Sequence, residues 1–231
     1  MSTDEPQVDE GPASDRVRLR RGAHNGVYEH EAVLAVLDAG LIAHVGVVTA
    51  DGPIVIPMAY GRSDDEIYLH GSVANAALRA ADGADVCVTV TVIDGLIVGR
   101  SPFHNSMQYR SVVVRGLARR VRDDAEHVDA LRRVSNHVVA TWNGARPPTA
   151  DELRRTMVIA VPLVELSAKV RTGGPADEPE DLEGPHWGGS VPIVATFGDA
   201  VPSPDLPPGI AVPSPVAALA GSAVHAPTDG R

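Results

Sequence analysis

The sequence has 231 residues, a hydrophobic content of 44% and a formal net charge of −10 at pH 7. This length and composition supply enough apolar side chains for a substantial core. The acidic balance argues against a nucleic-acid partner, which needs clustered Lys and Arg, and the single cysteine excludes an intramolecular disulfide.

The two ends differ from the middle. Residues 1–15, MSTDEPQVDEGPASD, are acidic and match neither a secretory signal nor a basic transit peptide, so we expect a cytoplasmic protein. No stretch reaches the roughly 18 apolar residues that cross a bilayer, so no membrane segment is expected. The segment from Asp199 on is rich in Pro, Ala, Gly and Ser. The composition predicts disordered tails over 1–15 and 199–231 around one domain at 16–198.

The first half of this domain reads as a helix followed by strands. EHEAVLAVLDAG has apolar residues at helical spacing and ends at Gly40. LIAHVGVVT and VIPMAYG then read as strands joined by an Asp-Gly turn, and DDEIYLHG as a third strand. Pro57 predicts a bulge or a strand end at its position. A short Ala-rich helix, SVANAALRAADG, follows.

The second half predicts further strands and one long helix. ADVCVTVTV, a turn at IDG, LIVGR and SVVVRGLARRV come first. RDDAEHVDALRRVSNHVVATW reads as a helix with Asp123 or Asp124 as its N-cap, and TMVIAVPLVELSAKV as one long strand. Six or so strands joined mostly by hairpins predict a mainly β fold of the α+β type, with a small antiparallel barrel and peripheral helices.

The stretch IYLHGSVANAALR has the features of an anion site. A strand ends near His70, Gly71 allows a tight turn, and the next helix would present free backbone N–H groups together with Ser72 and Asn75. Arg79 lies about two turns along the same helix. The alternative is an ordinary N-cap at Ser72, a solvent-facing arginine and a strand-end histidine.

Two further stretches place polar groups beside apolar strands. RSPFHNSMQYRSVVVRG could present His104, Tyr109, Arg110 and Ser111 to a ligand at a barrel mouth, or it is a surface loop before a strand. In SAKVRTGGP, Lys169 and Arg171 share one strand face.

Lys169 is the only lysine among 20 lysine and arginine residues, and it is followed by an acidic loop that reaches Trp187. A compact ammonium group differs from a guanidinium in what it can reach and bind. Its presence here indicates a specific role, unless the residue persists by chance.

Several motifs are missing. The nine histidines form neither H-E-x-x-H nor a Cys/His array, so no metal site is predicted. GGSVP lacks the second glycine of a nucleophile elbow. No G-x-G-x-x-G joins a strand to a helix, so a nucleotide would have to bind by another route.

The segments YLHGSVANAALR, CVTVTVIDGLIVGRSPFHNSMQYRSVVVRG, ELSAKVRTGGPADEPED and HWGGSVPI occur in this order. Together they resemble the pyridoxamine 5′-phosphate oxidase-like family of flavin-binding split barrels, in the branch near the nitroimidazole-resistance proteins. The resemblance covers about residues 18–194. It implies a six-stranded split barrel that forms a homodimer, with FMN in two equivalent clefts built from both subunits.

The resemblance also implies roles for residues. The turn after the third strand would contact the phosphate, and the valine-rich strand would contact the flavin. Residues near the end of the barrel, from the same chain or from the partner subunit, would also approach the flavin. The implied cofactor-binding residues are His70, Gly71, Ser72, Asn75, Arg79, Tyr109, Arg110, Ser111, Lys169 and Trp187, and the catalytic candidates are His70 and Lys169.

The function implied is that of an FMN-dependent oxidoreductase. Flavin N5 would exchange a hydride with a nicotinamide donor, NAD(P)H, and then with an unidentified small acceptor. Lys169 would stabilise the negative charge of the reduced flavin, and His70 or His104 could relay a proton. The alternative is a non-catalytic barrel that binds flavin, deazaflavin or haem, with His70 or His104 as axial haem ligand.

Overall fold

The computed structural model describes residues 11–225, which form two antiparallel sheets with helices around them. The large sheet has the strand order β1-β10-β7-β6-β2-β3, with β11 paired to β6, and the small sheet has the order β4-β5-β9-β8. The strands are β1 (Gly26–Val27), β2 (Ala43–Thr49), β3 (Gly52–Met58), β4 (Tyr60–Arg62), β5 (Glu66–Ser72), β6 (Asp85–Val98), β7 (Ser106–Leu117), β8 (Arg119–Arg120), β9 (Thr156–Pro162), β10 (Glu165–Arg171) and β11 (Gly189–Pro192). The helices are α1 (His30–Ala39), α2 (Ala76–Ala81), α3 (Asp124–Val138), α4 (Ala150–Arg155), α5 (Pro179–Leu182) and α6 (Ser214–Ala217).

The barrel core forms because the strands of the large sheet alternate buried and accessible residues. Val88 and Val90 on β6 lie opposite Val114 and Val112 on β7, and all four are at most 1% exposed. This period of two is the pattern of a sheet with one face on a core. α1 packs against the same core through its apolar face, which consists of Val33, Leu34, Val36 and Leu37.

The predicted fold class is confirmed, because the described residues form a mainly antiparallel β structure with peripheral helices. They contain more strand segments than the predicted six. Several of the additional segments pair over only two to four residues, a length too short to give an alternating sequence pattern.

The predicted turn at IDG is wrong. β6 runs from Asp85 to Val98 and carries a bulge at this point, where the register against β7 shifts between Ile93 and Gly95. An Asp-Gly pair permits a hairpin turn but also a bulge, and the long strand β7 offers pairing partners on both sides of it. A Cβ atom on Gly95 would lie 2.6 Å from Gln108 Oε1, at the end of a flexible side chain, and 3.0 Å from the backbone oxygen of Val191, so a larger residue would crowd β11.

The extra residue at this bulge, Asp94, pairs with Arg110 on β7. Arg110 donates from Nε to Asp94 Oδ2 at 3.0 Å and from Nη2 to Oδ1 at 2.7 Å. The two side chains are 8% and 21% exposed. A bidentate pair with this little solvent contact fixes the bulge geometry as well as the charge.

The stretch TMVIAVPLVELSAKV forms two strands in different sheets, and the prediction of one long strand is wrong. β9 ends at Pro162, which has no N–H for a ladder. Leu163 donates its N–H to Asp65 O at 2.7 Å as the chain crosses to the large sheet, where β10 begins at Glu165. The predicted strand end near Pro57 is confirmed, because the edge strand β3 stops at Met58.

The helix termini follow the capping chemistry of the sequence. Asp123 is the N-cap of α3 and accepts from Glu126 N at 2.9 Å, as predicted. α1 ends before Gly40, also as predicted. The Ala-rich helix α2 begins later than expected, with Asn75 rather than Ser72 as its N-cap.

Helix α3 lies unusually close to β4. A Cβ atom on Gly61 would lie 2.4 Å from Val134 N and 2.5 Å from Arg133 C, so only glycine permits this approach. The buried residues of α3, Ala130 and Val134, then form a second apolar cluster with Tyr68, Val121, Val158 and Ala160 on the outside of the small sheet.

The chain after β11 returns to the barrel. Ile193 N donates to Asp94 O at 3.0 Å, Thr196 and Ala223 form a bridge, and His225 Nδ1 lies 2.7 Å from Ala39 O. Residues 1–10 and 226–231, which carry part of the predicted disordered tails, lie outside the described residues. The domain boundaries at 16 and 198 stay predictions. No helix in the described residues combines the length and apolar content that crossing a membrane requires.

The substitution Gly61→Ala should destabilise the protein by about 3 kcal/mol, because a methyl group has to push the backbone of α3 away from β4. Urea unfolding followed by circular dichroism measures this. Gly144→Ala is the matched control: a Cβ there meets nothing within 4 Å, so its effect should stay within about 0.5 kcal/mol. Equal unfolding midpoints for the two variants would contradict the close approach.

The substitution Arg110→Met should cost about 3 kcal/mol, because it leaves the Asp94 carboxylate without its partner in a mostly buried place. Arg122→Met removes an ion pair with Asp82 from a side chain that is 69% exposed, and should cost no more than about 1 kcal/mol. The test is the difference in unfolding free energy between the two variants. If Arg110→Met loses as little stability as the control, the Arg110–Asp94 ion pair does not stabilise the bulge.

Candidate functional site

The turn between β5 and α2 brings together Gly71, Ser72, Asn75 and Arg79, as the sequence predicted. The Asn75 side chain accepts from Ala77 N at 2.9 Å and from Leu78 N at 3.2 Å, and Ser72 Oγ accepts from Ala74 N at 3.1 Å. Several of the backbone N–H groups expected to face an anion are therefore already bonded. Arg79 is exposed and makes no ion pair within residues 11–225.

Gly71 permits close packing inside this turn. A Cβ atom on Gly71 would lie 2.9 Å from Leu78 Cδ1 and 3.8 Å from Met58 Cε. Any larger residue would push α2 away from the strand end. The turn thus has a tight backbone, exposed polar groups and one uncompensated cation.

A second group lies on the side of the large sheet that faces away from the core, which we call the outer face: Tyr109, Ser111, Lys169 and Arg171. Lys169 lies directly opposite Ser111, and Arg171 opposite Tyr109. Directly paired residues of antiparallel strands share a face and lie about 5 Å apart. Three of the predicted site residues and Arg171 therefore form one patch of half-buried side chains.

Lys169 is held by the N-terminal segment. Its Nζ donates to Arg21 O at 3.3 Å, and the backbone turns beside it at Gly22, which has φ +64°. The cations that make no ion pair within the described residues include Lys169, Arg171, Arg20, Arg21 and Arg115. Of these cations, Lys169 and Arg171 lie in the outer-face patch, while Arg115 lies opposite Glu165. In a chain with a net charge of −10, the two cations of the patch favour an anionic ligand.

Arg110 points to the opposite face of β7 from Tyr109 and Ser111, because successive side chains alternate. The residue Arg110 is 6% exposed, and its guanidinium group is bound to Asp94. The structure therefore separates Arg110 from the other predicted residues of this strand and gives it a structural partner.

The remaining predicted residues lie in loops at the strand ends. Trp187 is 64% exposed, next to β11. His104 ends a single 3-10 turn after β6. The loop of Asp177 is held to this turn region, because Asp177 binds Arg100 N at 2.9 Å and Arg100 Nη1 at 2.8 Å.

His70 lies apart from Gly71, on the other face of β5. It faces a cavity of about 430 Å³ between the small sheet, α3 and α4. The lining is mostly apolar: Ala59, Leu131, Val134, Val138, Val139, Trp142, Pro148 and Leu153, with His70, Ser135, Glu152 and Thr156 as the polar members. Sequence reasoning missed the α3 and α4 residues, although the spacing of Leu131, Val134 and Val138 marks one helix face.

The His70 ring is unusual, since its Nδ1 is buried and has no hydrogen-bond partner within the described residues. Burial lowers the pKa of His70, so the imidazole is neutral at pH 7. A neutral imidazole with a free lone pair in an apolar cavity can act as a metal ligand. One nitrogen donor in a cavity of this size suits the axial position of a haem. The described residues contain no group of three or more His, Cys, Asp or Glu placed to hold a bare metal ion.

The predicted site residues thus fall in separate places. The β5–α2 turn and the outer-face cations are not brought together within one chain: α2 packs against β2, and β2 is separated from β10 by β6 and β7. Three strand spacings amount to roughly 14 Å. His70 faces a third region behind the small sheet.

Two solved structures resemble this chain over nearly its whole length. The flavocytochrome Anf3 from Azotobacter vinelandii is 34% identical with a TM-score of 0.87, and the match covers 91% of this chain and 99% of that one. The FAD and haem binding protein from Mycobacterium smegmatis is 30% identical with a TM-score of 0.82, covering 87% and 100%. A candidate 5-nitroimidazole resistance protein from Bacteroides thetaiotaomicron shares the fold, at 22% identity and a TM-score of 0.52, covering 63% and 86%.

Among curated proteins, a uracil-DNA glycosylase of Bordetella petrii is 30% identical over 138 residues, which is 60% of this chain. The chain spans 44% of that protein's length. The model of the family described as Pyridoxamine 5′-phosphate oxidase matches residues 29–170. The predicted resemblance is confirmed, and the chain belongs to the pyridoxamine 5′-phosphate oxidase family.

Proposed function

We propose that the protein is a flavin-dependent oxidoreductase that carries haem as a second cofactor. The observation that carries the proposal is the apolar cavity behind the small sheet, into which His70 turns a neutral ring whose buried Nδ1 has no partner within the described residues. The two relatives that match along most of the chain support it, since one is named a flavocytochrome and the other an FAD and haem binding protein.

The flavin site of the proposal uses the outer face and the β5–α2 turn. Lys169 and Arg171 supply positive charge beside Ser111 and Tyr109, and Arg79 supplies an exposed cation at the turn. FMN is the predicted nucleotide, and the Mycobacterium smegmatis relative makes FAD the other candidate. When bound, a flavin accepts a hydride at N5 from a nicotinamide donor such as NAD(P)H and passes the electrons to a small acceptor.

Two copies are part of the proposal. The turn and Lys169 lie on different elements of one chain, and in the proposed homodimer, which pairs the outer faces, the turn of one copy would complete the site at Lys169 of the other. The outer face continues over the edge strand β3, where Val55 is 67% exposed. An apolar side chain at this position favours a protein neighbour over water.

Lys169 is a catalytic candidate because its ammonium can stabilise negative charge on a reduced ring. The group is preorganised, since Arg21 O and the turn at Gly22 hold Nζ in place. A fixed cation stabilises developing charge without a reorganisation cost during the reaction.

His70 would hold the haem iron, and the α3 face would form the apolar wall of the site. Bound haem supplies one-electron exchange at its iron. Burial keeps His70 neutral, so no proton has to leave before the ring coordinates a metal. The hydrophobic side chains of α3 exclude water from the ligand position.

Purified protein should show flavin bands and a Soret band, and the flavin bands should bleach anaerobically with NADH or NADPH. His70→Ala should weaken haem affinity more than about tenfold, since loss of a ligand costs more than loss of an outer-shell partner, and should retain flavin. His104→Ala is the matched control and should keep both cofactors.

Haem loss in His104→Ala but not in His70→Ala would contradict the assignment. If neither NADH nor NADPH reduces the bound flavin, the protein would be a flavin carrier that does not catalyse a reaction. A deazaflavin identified by mass after extraction would replace FMN and FAD, and colourless protein that takes up none of these cofactors would reject the proposal.

Lys169→Met should lower the two-electron reduction potential of the bound flavin by roughly 30 to 65 mV, because a charge-assisted hydrogen bond to the reduced ring is lost. Spectroelectrochemistry of the loaded protein measures the shift. Arg132→Met removes a positive charge from α3, which packs against the small sheet, and should leave the potential unchanged. Equal potentials for wild type and Lys169→Met would remove this role.

A further inference from the structure

A second cavity, which we call the cationic cavity, adjoins the His70 cavity. It has a volume of about 620 Å³ and lies between the start of α3, the segment after β8 and α4. Leu153 and Thr156 line both cavities, so the cavities lie next to each other with these two residues between them. Neither the predicted site nor the family resemblance accounts for this second space.

The cationic cavity concentrates positive charge. Arg120, Arg122 and Arg154 line it together with the carboxylate of Asp124. Arg120 makes no ion pair within residues 11–225, while Arg122 and Arg154 pair with Asp82 and Asp151 in exposed geometries. Exposed pairs of this kind are weak, so both guanidinium groups can turn toward a stronger anion. In a chain with a net charge of −10, this lining favours an anionic ligand.

His127 adds an unsatisfied polar atom to the same lining. Its Nε2 is buried and has no hydrogen-bond partner within the described residues. Burial lowers the pKa of His127, against the opposing effects of Asp124 and of a backbone hydrogen bond to Thr156. A neutral ring that donates its single N–H to the Thr156 carbonyl leaves only a lone pair on its other nitrogen, so His127 is not one of the carboxylate contacts.

The two cavities together have the polarity of an amphipathic ligand. The His70 end is apolar and offers an imidazole, and the other end offers guanidinium groups. Arginine is the residue best suited to bind carboxylates in a bidentate way. Haem has this same division, with an apolar macrocycle and two carboxylates on one edge.

We propose that the cationic cavity binds the carboxylate edge of the haem held at His70, with Arg120 and Arg154 as its contacts. The inference rests on the proposed function and adds the residues that set the orientation of the ligand. These are positioning residues, because they act on the propionates and not on the iron. A free small carboxylate such as succinate is the other source of the same chemistry, and the experiment separates the two.

The experiment titrates the full chain, freed of bound haem, with hemin and with hemin dimethyl ester, which lacks the carboxylate charges. Absorbance at the Soret band gives the dissociation constants. Arg154→Gln and Arg155→Gln form a matched pair: both side chains bind Asp151 and are mostly exposed, but only Arg154 lines the cavity. Arg120→Gln is the second test variant.

We expect Arg120→Gln and Arg154→Gln to weaken hemin binding by roughly fivefold to tenfold, and Arg155→Gln to leave it unchanged. All three variants should bind the dimethyl ester as wild type does, and wild type should bind the ester more weakly than hemin.

Equal losses for Arg154→Gln and Arg155→Gln, or equal losses for hemin and its ester, would overturn the inference and leave the haem site at His70 intact. Tight succinate binding to haem-free protein, with no preference of wild type for hemin over the ester, would assign the cavity to a free carboxylate. If wild type binds neither hemin nor the ester, the proposed haem function fails and this inference fails with it.

Discussion

The close approach of α3 to β4 is the constraint on which the arrangement behind the small sheet depends. Gly61 lets the backbone of α3 come into contact with the strand at Val134 and Arg133. Two hydrogen bonds fix the helix in this place: Arg133 Nη1 donates to Arg62 O at 3.2 Å, and His137 Nε2 lies 2.7 Å from Gly40 O. With α3 held at this end, its apolar face spans the sheet and forms the wall opposite His70.

The alternation of a single strand separates two kinds of chemistry. On β5, Leu69 joins the barrel core, while Tyr68 joins the cluster under α3. His70 follows Tyr68 to the outside, and Gly71 packs against Leu78 of α2. Neighbouring residues of the motif HGS therefore serve different regions. A nucleotide at the turn and a tetrapyrrole behind the sheet would be separated by one layer of backbone.

Much of the fold followed from local pattern. The alternating valines of β6 and β7, the helix over α3 and its Asp123 cap were readable because periodicity and capping are local properties. The bulge at Asp94 was not, since an Asp-Gly pair fits a turn equally well and only the pairing with β7 decides between them. The crossing at Leu163 was missed for a similar reason: the stretch is uniformly apolar, and only sheet assembly splits it.

The candidate site was predictable in part. The family-like motifs selected Lys169, Ser111 and the β5–α2 turn, but they placed Arg110 among the ligand contacts, where the structure pairs it with Asp94. The α3 and α4 residues around His70 carry no motif, because a cavity wall needs only apolar side chains of suitable size. The arginines of the cationic cavity come from two segments that meet through tertiary structure, and nothing in their spacing links them.

Because every other member of the 20 lysine and arginine residues is an arginine, Lys169 is a unique site for cleavage by a lysine-specific protease. An endoproteinase that cleaves only after lysine has a single cutting point in this sequence, on β10 at the outer face. Cleavage there separates the residues up to Lys169, which include β1 to β9, from the last two residues of β10 and from β11. β10 is paired on both sides, with β1 and with β7, so the protease can cut only when the strand opens. The rate of that one cut therefore reports the local opening of β10, and a molecule that stabilises this part of the barrel slows it.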